Sequence, residues 1–208
     1  VSVSFVAGAS RTFSTKRPVE TRTRVLVVVH KDETDKTTNT GVLAARCLNN
    51  ASVVVAGDRA RPLPSSLFEQ GERAVVLFPG EDALPIAQFA DGAPLTLVIP
   101  DGTWRQASKM TRRVHGLAAL PLVSLPAGAP TRYRLRAERH PGGLATLEAI
   151  ARALAALEGE ATAAPLLELF ALFVDRTLWL RGALPDHEVT GGVPAAAIAQ
   201  GVRGHHPR

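Results

Sequence analysis

Five short runs of mostly β-branched apolar residues recur along the chain, and they constrain its fold more than any other feature. They are Arg24–His30 (RVLVVVH), Ser52–Ala56 (SVVVA), Ala74–Phe78 (AVVLF), Leu95–Ile99 (LTLVI) and Leu120–Leu125 (LPLVSL). A strand with one face in water alternates apolar and polar residues. These runs are nearly continuous instead, which is the pattern of strands covered on both faces, hence of a parallel sheet. The stretches between them predict helices over Thr40–Leu48, Ser65–Gly71, Ala83–Ala90 and Thr103–His115. Strand and helix alternate, so the expected class is α/β: a mainly parallel sheet of five or more strands with helices on both faces.

After the fifth run the periodicity changes. Leu144, Leu147, Ala151, Leu154 and Leu157 share one helical stripe, and Leu166, Leu169, Phe170, Phe173, Val174 and Leu178 share a second. Two closing helices are expected against the sheet, with Pro165 near the start of the second and Gly182 past its end. Residues 1–22 read as a flexible basic segment, 23–184 as one catalytic-sized domain, and 185–208 as a Gly/Pro/Ala-rich tail. A length of 208 residues suffices for one such core. No apolar run approaches the roughly 20 residues of a membrane-spanning helix. Cys47 is the single cysteine, and no Cys/His set has zinc-ligand spacing. The expectation is a soluble, cytoplasmic chain without membrane or metal partner.

The formal charge is +5, but its placement says more than its total. Residues 105–139 contain Arg105, Lys109, Arg112, Arg113, Arg132, Arg134, Arg136 and Arg139 against the single acid Glu138. A block of one sign is either a solvated face or a surface that follows a phosphate backbone. Its arginine content favours RNA, because the planar guanidinium suits bidentate phosphate contacts.

Ligands of open parallel sheets bind beyond the carboxyl ends of the strands. The segments there are HKDETDKTTNTG after the first strand, PGED after the third, PDGTW after the fourth and PAGAPTRYRLRAERHPGG after the fifth. Asn39, Thr40 and Gly41 open the first helix, whose free amides either receive an anion or are simply capped. Asp101, Gly102, Thr103 and Trp104 place an acid, a flexible residue and an indole at the start of a strongly basic helix. Asp101 is either a helix cap or a general base; Trp104 is either a core aromatic or a wall on which a base stacks. In Thr131–Arg136 (TRYRLR) the alternating arginines would point to one side of an extended segment, as a phosphate-facing row. His30, His115, His205 and His206 form no ligand set.

Taken in order, RTRVLVVVH, NTGVLAA, VVLFP, LVIPDGTWRQASKM, LPLVSL, YRLR and TLEA resemble the landmarks of the DTW-domain family, the tRNA-uridine aminocarboxypropyltransferases, over roughly Thr23 to Gly182. The resemblance implies a SPOUT-like, knotted fold that holds S-adenosylmethionine near the carboxyl ends of the last strands. It implies transfer of the 3-amino-3-carboxypropyl group of that donor to N3 of a uridine in tRNA, with methylthioadenosine released. The DxTW positions fall on Asp101, Thr103 and Trp104 as catalytic residues. Asn39, Thr40, Gly41, Phe78, Pro79, Gly80, Asp101, Gly102, Leu125, Pro126 and Tyr133 are expected to hold the donor. Arg105, Lys109, Arg112, Arg113, Arg132, Arg134 and Arg136 are expected to hold tRNA. Many family members carry a cysteine cluster before the first strand, whereas TKRPVETRTR here has none.

A sulfonium activates each of its three carbons, so positioning decides which group moves. The implied arrangement seats the donor's carboxylate on Asn39–Gly41, with Asp101 either removing the uracil N3 proton or accepting it in a hydrogen bond. Two other readings stand beside this one: an RNA methyltransferase of the same fold and donor, and a non-catalytic RNA-binding module.

Overall fold

The computed structural model describes residues 2–5, 11–14, 18–135, 142–195 and 197. Two short strands, β1 (Ser2–Phe5) and β2 (Arg11–Ser14), pair antiparallel where the sequence predicts a flexible segment. The chain is tied to the main body from Val19, whose amide donates to the Cys47 carbonyl at 2.8 Å and whose carbonyl accepts from Asn49.

Six parallel strands then form one sheet: β3 (Arg24–His30), β4 (Ala51–Ala56), β5 (Ala74–Leu77), β6 (Leu84–Pro85), β7 (Thr96–Asp101) and β8 (Leu122–Ser124). Their spatial order is β4-β3-β7-β5-β8-β6, so β7 is inserted between β3 and β5, and β8 between β5 and β6. Val25, Val27 and Val29 of β3 face one hydrophobic cluster; Leu26 and Val28 face another. All five are at most 1% exposed, which accounts for the continuous apolar run.

The first face carries α1 (Thr40–Cys47) and α3 (Thr146–Glu158), with α4 (Glu160–Leu180) packed along α3. The second face carries α2 (Trp104–Arg113), through Met110, together with Leu117 and the side chains of Leu63, Leu67 and Phe68. Leu67 and Phe68 lie in the stretch predicted as a helix over Ser65–Gly71, which is a loop. Ser66 explains the difference: its hydroxyl bonds both the carbonyl and the amide of Phe68, giving the backbone a local alternative to a helical turn. The helix predicted over Ala83–Ala90 is replaced by β6 and a 3-10 turn, Ile86–Phe89. Pro85 is the reason, because it disfavours the helical conformation at Leu84 and lacks an amide donor, and an edge strand tolerates both.

Two further boundaries differ from expectation. Helix α4 starts directly after Gly159 (φ 100°), so Pro165 falls inside it rather than at its first position. The predicted tail begins in packed form: Val189 is buried, and the Trp179 indole nitrogen donates to Asp186 at 3.0 Å. Among the described residues no helix is long and apolar enough to cross a membrane.

The β5–β7 ladder ends at the pair Val76–Val98, whereas β7 continues along β3 to Asp101. Pro100, in an otherwise central strand, therefore has a ladder neighbour on one side only, the condition under which a strand accepts proline. The gap that opens there lies beside the site described next.

Candidate active site

Asp101 is the last residue of β7 and is 6% exposed. Asn39 Nδ2 donates to Asp101 Oδ2 at 2.7 Å, and the Thr146 hydroxyl donates to Oδ1. Asn39 also caps α1, its Oδ1 accepting from the Val42 amide at 2.8 Å. Thr146 is the first residue of α3. Two helix N-termini therefore converge on one carboxylate, and their dipoles favour negative charge there. A Cβ at Gly41 would lie 3.0 Å from both Asp101 Cγ and Thr146 Cγ2, so close approach requires the glycine. The helix start read from the sequence as an anion seat thus faces the protein's own Asp101.

The cap of α2 is Thr103, not Asp101. Its hydroxyl and Gln106 form a capping box, with the Thr103 amide and hydroxyl each 2.8 Å from Gln106 Oε1. Gln106 Nε2 in turn lies 3.1 Å from His30 Nδ1, fastening α2 to the end of β3. Thr103 is thereby committed to holding the helix start. Trp104 is not a core aromatic: it is 37% exposed and packs its ring against Phe78 at 5.6 Å between centroids, tilted by 59°.

Two clefts meet at Trp104. A cleft of about 860 Å³ is lined by Glu33, Lys36, Thr38, Asn39, Thr40, Asp101, Arg105 and Tyr133. A second, of about 590 Å³, is lined by Leu77, Phe78, Pro79, Ile99, Pro100, Leu125, Pro126 and the residues through Pro130. Gly102, Trp104, Thr131, Leu144 and Thr146 wall both. The larger cleft has two buried acids, Glu33 and Asp101, and exposed Arg105 in its lining; the smaller is mostly apolar, with Arg152 among its walls. Of the expected donor-holding residues, Gly41 is buried behind Asp101 and Gly80 lines neither cleft, a Cβ there meeting only Leu122 at 3.5 Å.

Glu148, 2% exposed, pins the loop that covers the clefts. It accepts from the Thr131 hydroxyl, from the Arg132 amide at 2.9 Å and from the Ala145 amide at 3.3 Å. Tyr133 donates its hydroxyl to the Thr38 carbonyl at 3.2 Å and stacks on Phe170. Neither Glu148 nor Thr146 was singled out from the sequence by chemistry; both lie in the TLEA landmark, which was the available signal.

Over the described residues 131–135 the expected row of arginines does not form as an extended segment. Arg134 N donates to the Arg132 carbonyl in a turn, and the Arg134 guanidinium pairs with buried Asp175 of α4 at 2.5 Å. Arg132 is exposed, and Arg136 lies outside the described residues. On α2 the outcome is different. Arg105, Lys109, Arg112 and Arg113 are all exposed, and among the described residues none makes a hydrogen bond or ion pair. Arg105, Lys109 and Arg112 recur at helical spacing and run as a stripe from the cleft. Among the described residues no cluster of His, Cys, Asp and Glu has metal-binding geometry.

A wholly parallel sheet with paired clefts at the carboxyl end of its central strand defines an α/β protein of the ligand-binding kind. The model of the DTW domain matches residues 10–178, and the chain belongs to that family. It is 27% identical over 147 residues to tRNA-uridine aminocarboxypropyltransferase 2 of Drosophila melanogaster, a match spanning 68% of this chain and 59% of the fly protein. It is 29% identical over 150 residues to the protein of the same name in Mus musculus, spanning 68% of this chain and 50% of the mouse protein. The chain therefore corresponds to between half and three fifths of these relatives. Among solved structures, the SAM-dependent rRNA:acp-transferase Tsr3 from Vulcanisaeta distributa is similar, with a TM-score of 0.49 and 17% identity over 86% of this chain and 89% of that one.

Proposed function

We propose that this protein transfers the 3-amino-3-carboxypropyl group of S-adenosylmethionine to N3 of a uridine in tRNA. The observation that carries the reading is the junction at Trp104 of an apolar cleft with one floored by buried acids, in a DTW chain whose curated relatives are named for this activity. The donor fits that junction chemically. Its adenosine is matched by Phe78, Pro79, Leu125 and Pro126, and its cationic sulfonium by the acids Glu33 and Asp101. When bound, the donor supplies a sulfonium-activated carbon, so that N3 gains the carbon, sulfur keeps the bonding pair and the imide proton is released.

The chain's own residues do the positioning. Asp101, held by Asn39 and Thr146 in the wall of the larger cleft, orients the uracil by accepting its N3–H and stabilises loss of that proton. Asn39 and Thr146 fix the carboxylate so that it need not reorganise as charge develops. Trp104 offers an exposed ring for stacking on the base. The unpaired cations of α2 face the phosphates, while Arg134, held by Asp175, serves the fold.

Incubation with tRNA and donor labelled either on the methyl or on the carboxypropyl carbons, followed by mass spectrometry of the digested nucleosides, tests the reading. Carboxypropyl label on uridine is expected. Methyl label in RNA would make the protein a methyltransferase, and tRNA binding without either label would make it a binding module.

A further inference from the structure

We infer that Glu33 and Lys36 form the seat for the α-amino-acid end of the donor, an inference that rests on the proposed function. Glu33 closes a 3-10 turn, Lys31–Glu33, directly after β3, where a charged residue would ordinarily stay in water. It is instead 5% exposed in the wall of the larger cleft. Lys36 Nζ lies 2.5 Å from Glu33 Oε1, yet the lysine side chain keeps 42% of its surface exposed and lines the same cleft. The pair therefore presents a buried anion and an accessible cation side by side, the complement of a zwitterion: an ammonium at Glu33 and a carboxylate at Lys36.

The bland alternative is an i, i+3 pair that only stiffens the loop, and such pairs do not require burial of the acid. The surrounding bonds argue for a held geometry. Asn39 Nδ2 spans from the Glu33 carbonyl at 3.2 Å to Asp101 Oδ2 at 2.7 Å, so one side chain sets Glu33's backbone relative to the acid assigned to uracil. The Tyr133 hydroxyl holds the Thr38 carbonyl from the opposite wall. The seat matters more for this reaction than for methyl transfer. There the amino-acid end leaves with the by-product, whereas here it is the cargo, and it must be aligned with N3 until the carbon changes partners.

The test compares S-adenosylmethionine with methylthioadenosine, which lacks the amino-acid end, by isothermal titration calorimetry. Wild type is expected to bind the full donor more tightly. Glu33→Gln and Lys36→Met are each expected to weaken it about tenfold, with methylthioadenosine held to within about twofold. Equal weakening of both ligands, or of neither, would show that the pair serves only the loop. Wild-type protein that binds neither ligand would instead overturn the proposed function itself. If Glu33→Gln lowers the thermal midpoint, Lys36→Met carries the test, since its side chain is half exposed and its loss leaves the fold unburdened.

Discussion

The two ends of the sheet treat charge in opposite ways. At the amino end charges are tied to protein partners: Glu72 accepts from Arg24 at 2.8 Å and from the Thr96 hydroxyl, Glu158 accepts from the amides of Arg22 and Thr23, and Arg73 pairs with Asp91. These contacts join the starts of β3, β5 and β7 to the last turn of α3. At the carboxyl end two acids are buried at clefts, and the α2 cations stand without partners among the described residues. Charge that is satisfied internally holds the fold; the exposed α2 cations running from the cleft are available to a ligand. Helix α1 spans both regimes, with Asn39 and Gly41 against Asp101 at one end and Cys47 in the core at the other.

If that contrast is right, the largest effect of a minimal change belongs to Gly41. Gly41→Ala drives a methyl group into Asp101 Cγ and Thr146 Cγ2, and a displacement of that kind is expected to cost about 100-fold or more in transfer rate. A rate near that of wild type in single-turnover assays would show that the close approach has no catalytic meaning. Next in size is the triple change Arg105→Ala, Lys109→Ala and Arg112→Ala. It is expected to reduce the slope of log affinity for tRNA against log salt by about three, with Arg73→Ala at the opposite end leaving the slope unchanged. Equal slopes for both proteins would erase the distinction between the two ends.

Smaller effects are expected at the amino end. Burial pushes the Glu72 carboxyl up, but hydrogen bonds from Thr96, the Glu69 amide and Arg24 outweigh it and hold its pKa below the ordinary value. Its stabilisation is therefore present above the unfolded carboxylate pKa and is lost as pH falls through the lowered folded one. Glu72→Gln is expected to cost about 1 kcal/mol at neutral pH in denaturant melts, with the gap narrowing in acid and transfer unchanged. Finally, burial pushes the Cys47 thiol up to about 11, so iodoacetamide at pH 8 should leave it unmodified until the protein is denatured.

The order of strands and helices was legible because each β-branched run is buried on both faces, a condition that writes itself into consecutive residues. What escaped were elements decided by single local contacts: β6, set by Pro85, and the 57–73 loop, where Ser66 diverts the backbone from a helix. In the site, Asp101 and Trp104 were visible as an acid and an indole after a buried strand. The choice between cap and chemistry was not, because it depended on Thr103 and Gln106 forming their own box. Arg134 looked like its neighbours in sequence, and only the position of Asp175, 41 residues later, separates it from the cations of α2. Glu33 gave no signal because burial of a loop acid is a tertiary fact.

The central claim is that Asp101 serves the reaction and not merely the junction of α1, α3 and β7. Asp101→Asn keeps the shape and one acceptor while removing the charge, so the most direct measurement is its single-turnover transfer rate beside its affinity for S-adenosylmethionine. A rate lower by about 100-fold or more is expected, with donor affinity changed little. A rate equal to that of wild type would contradict it.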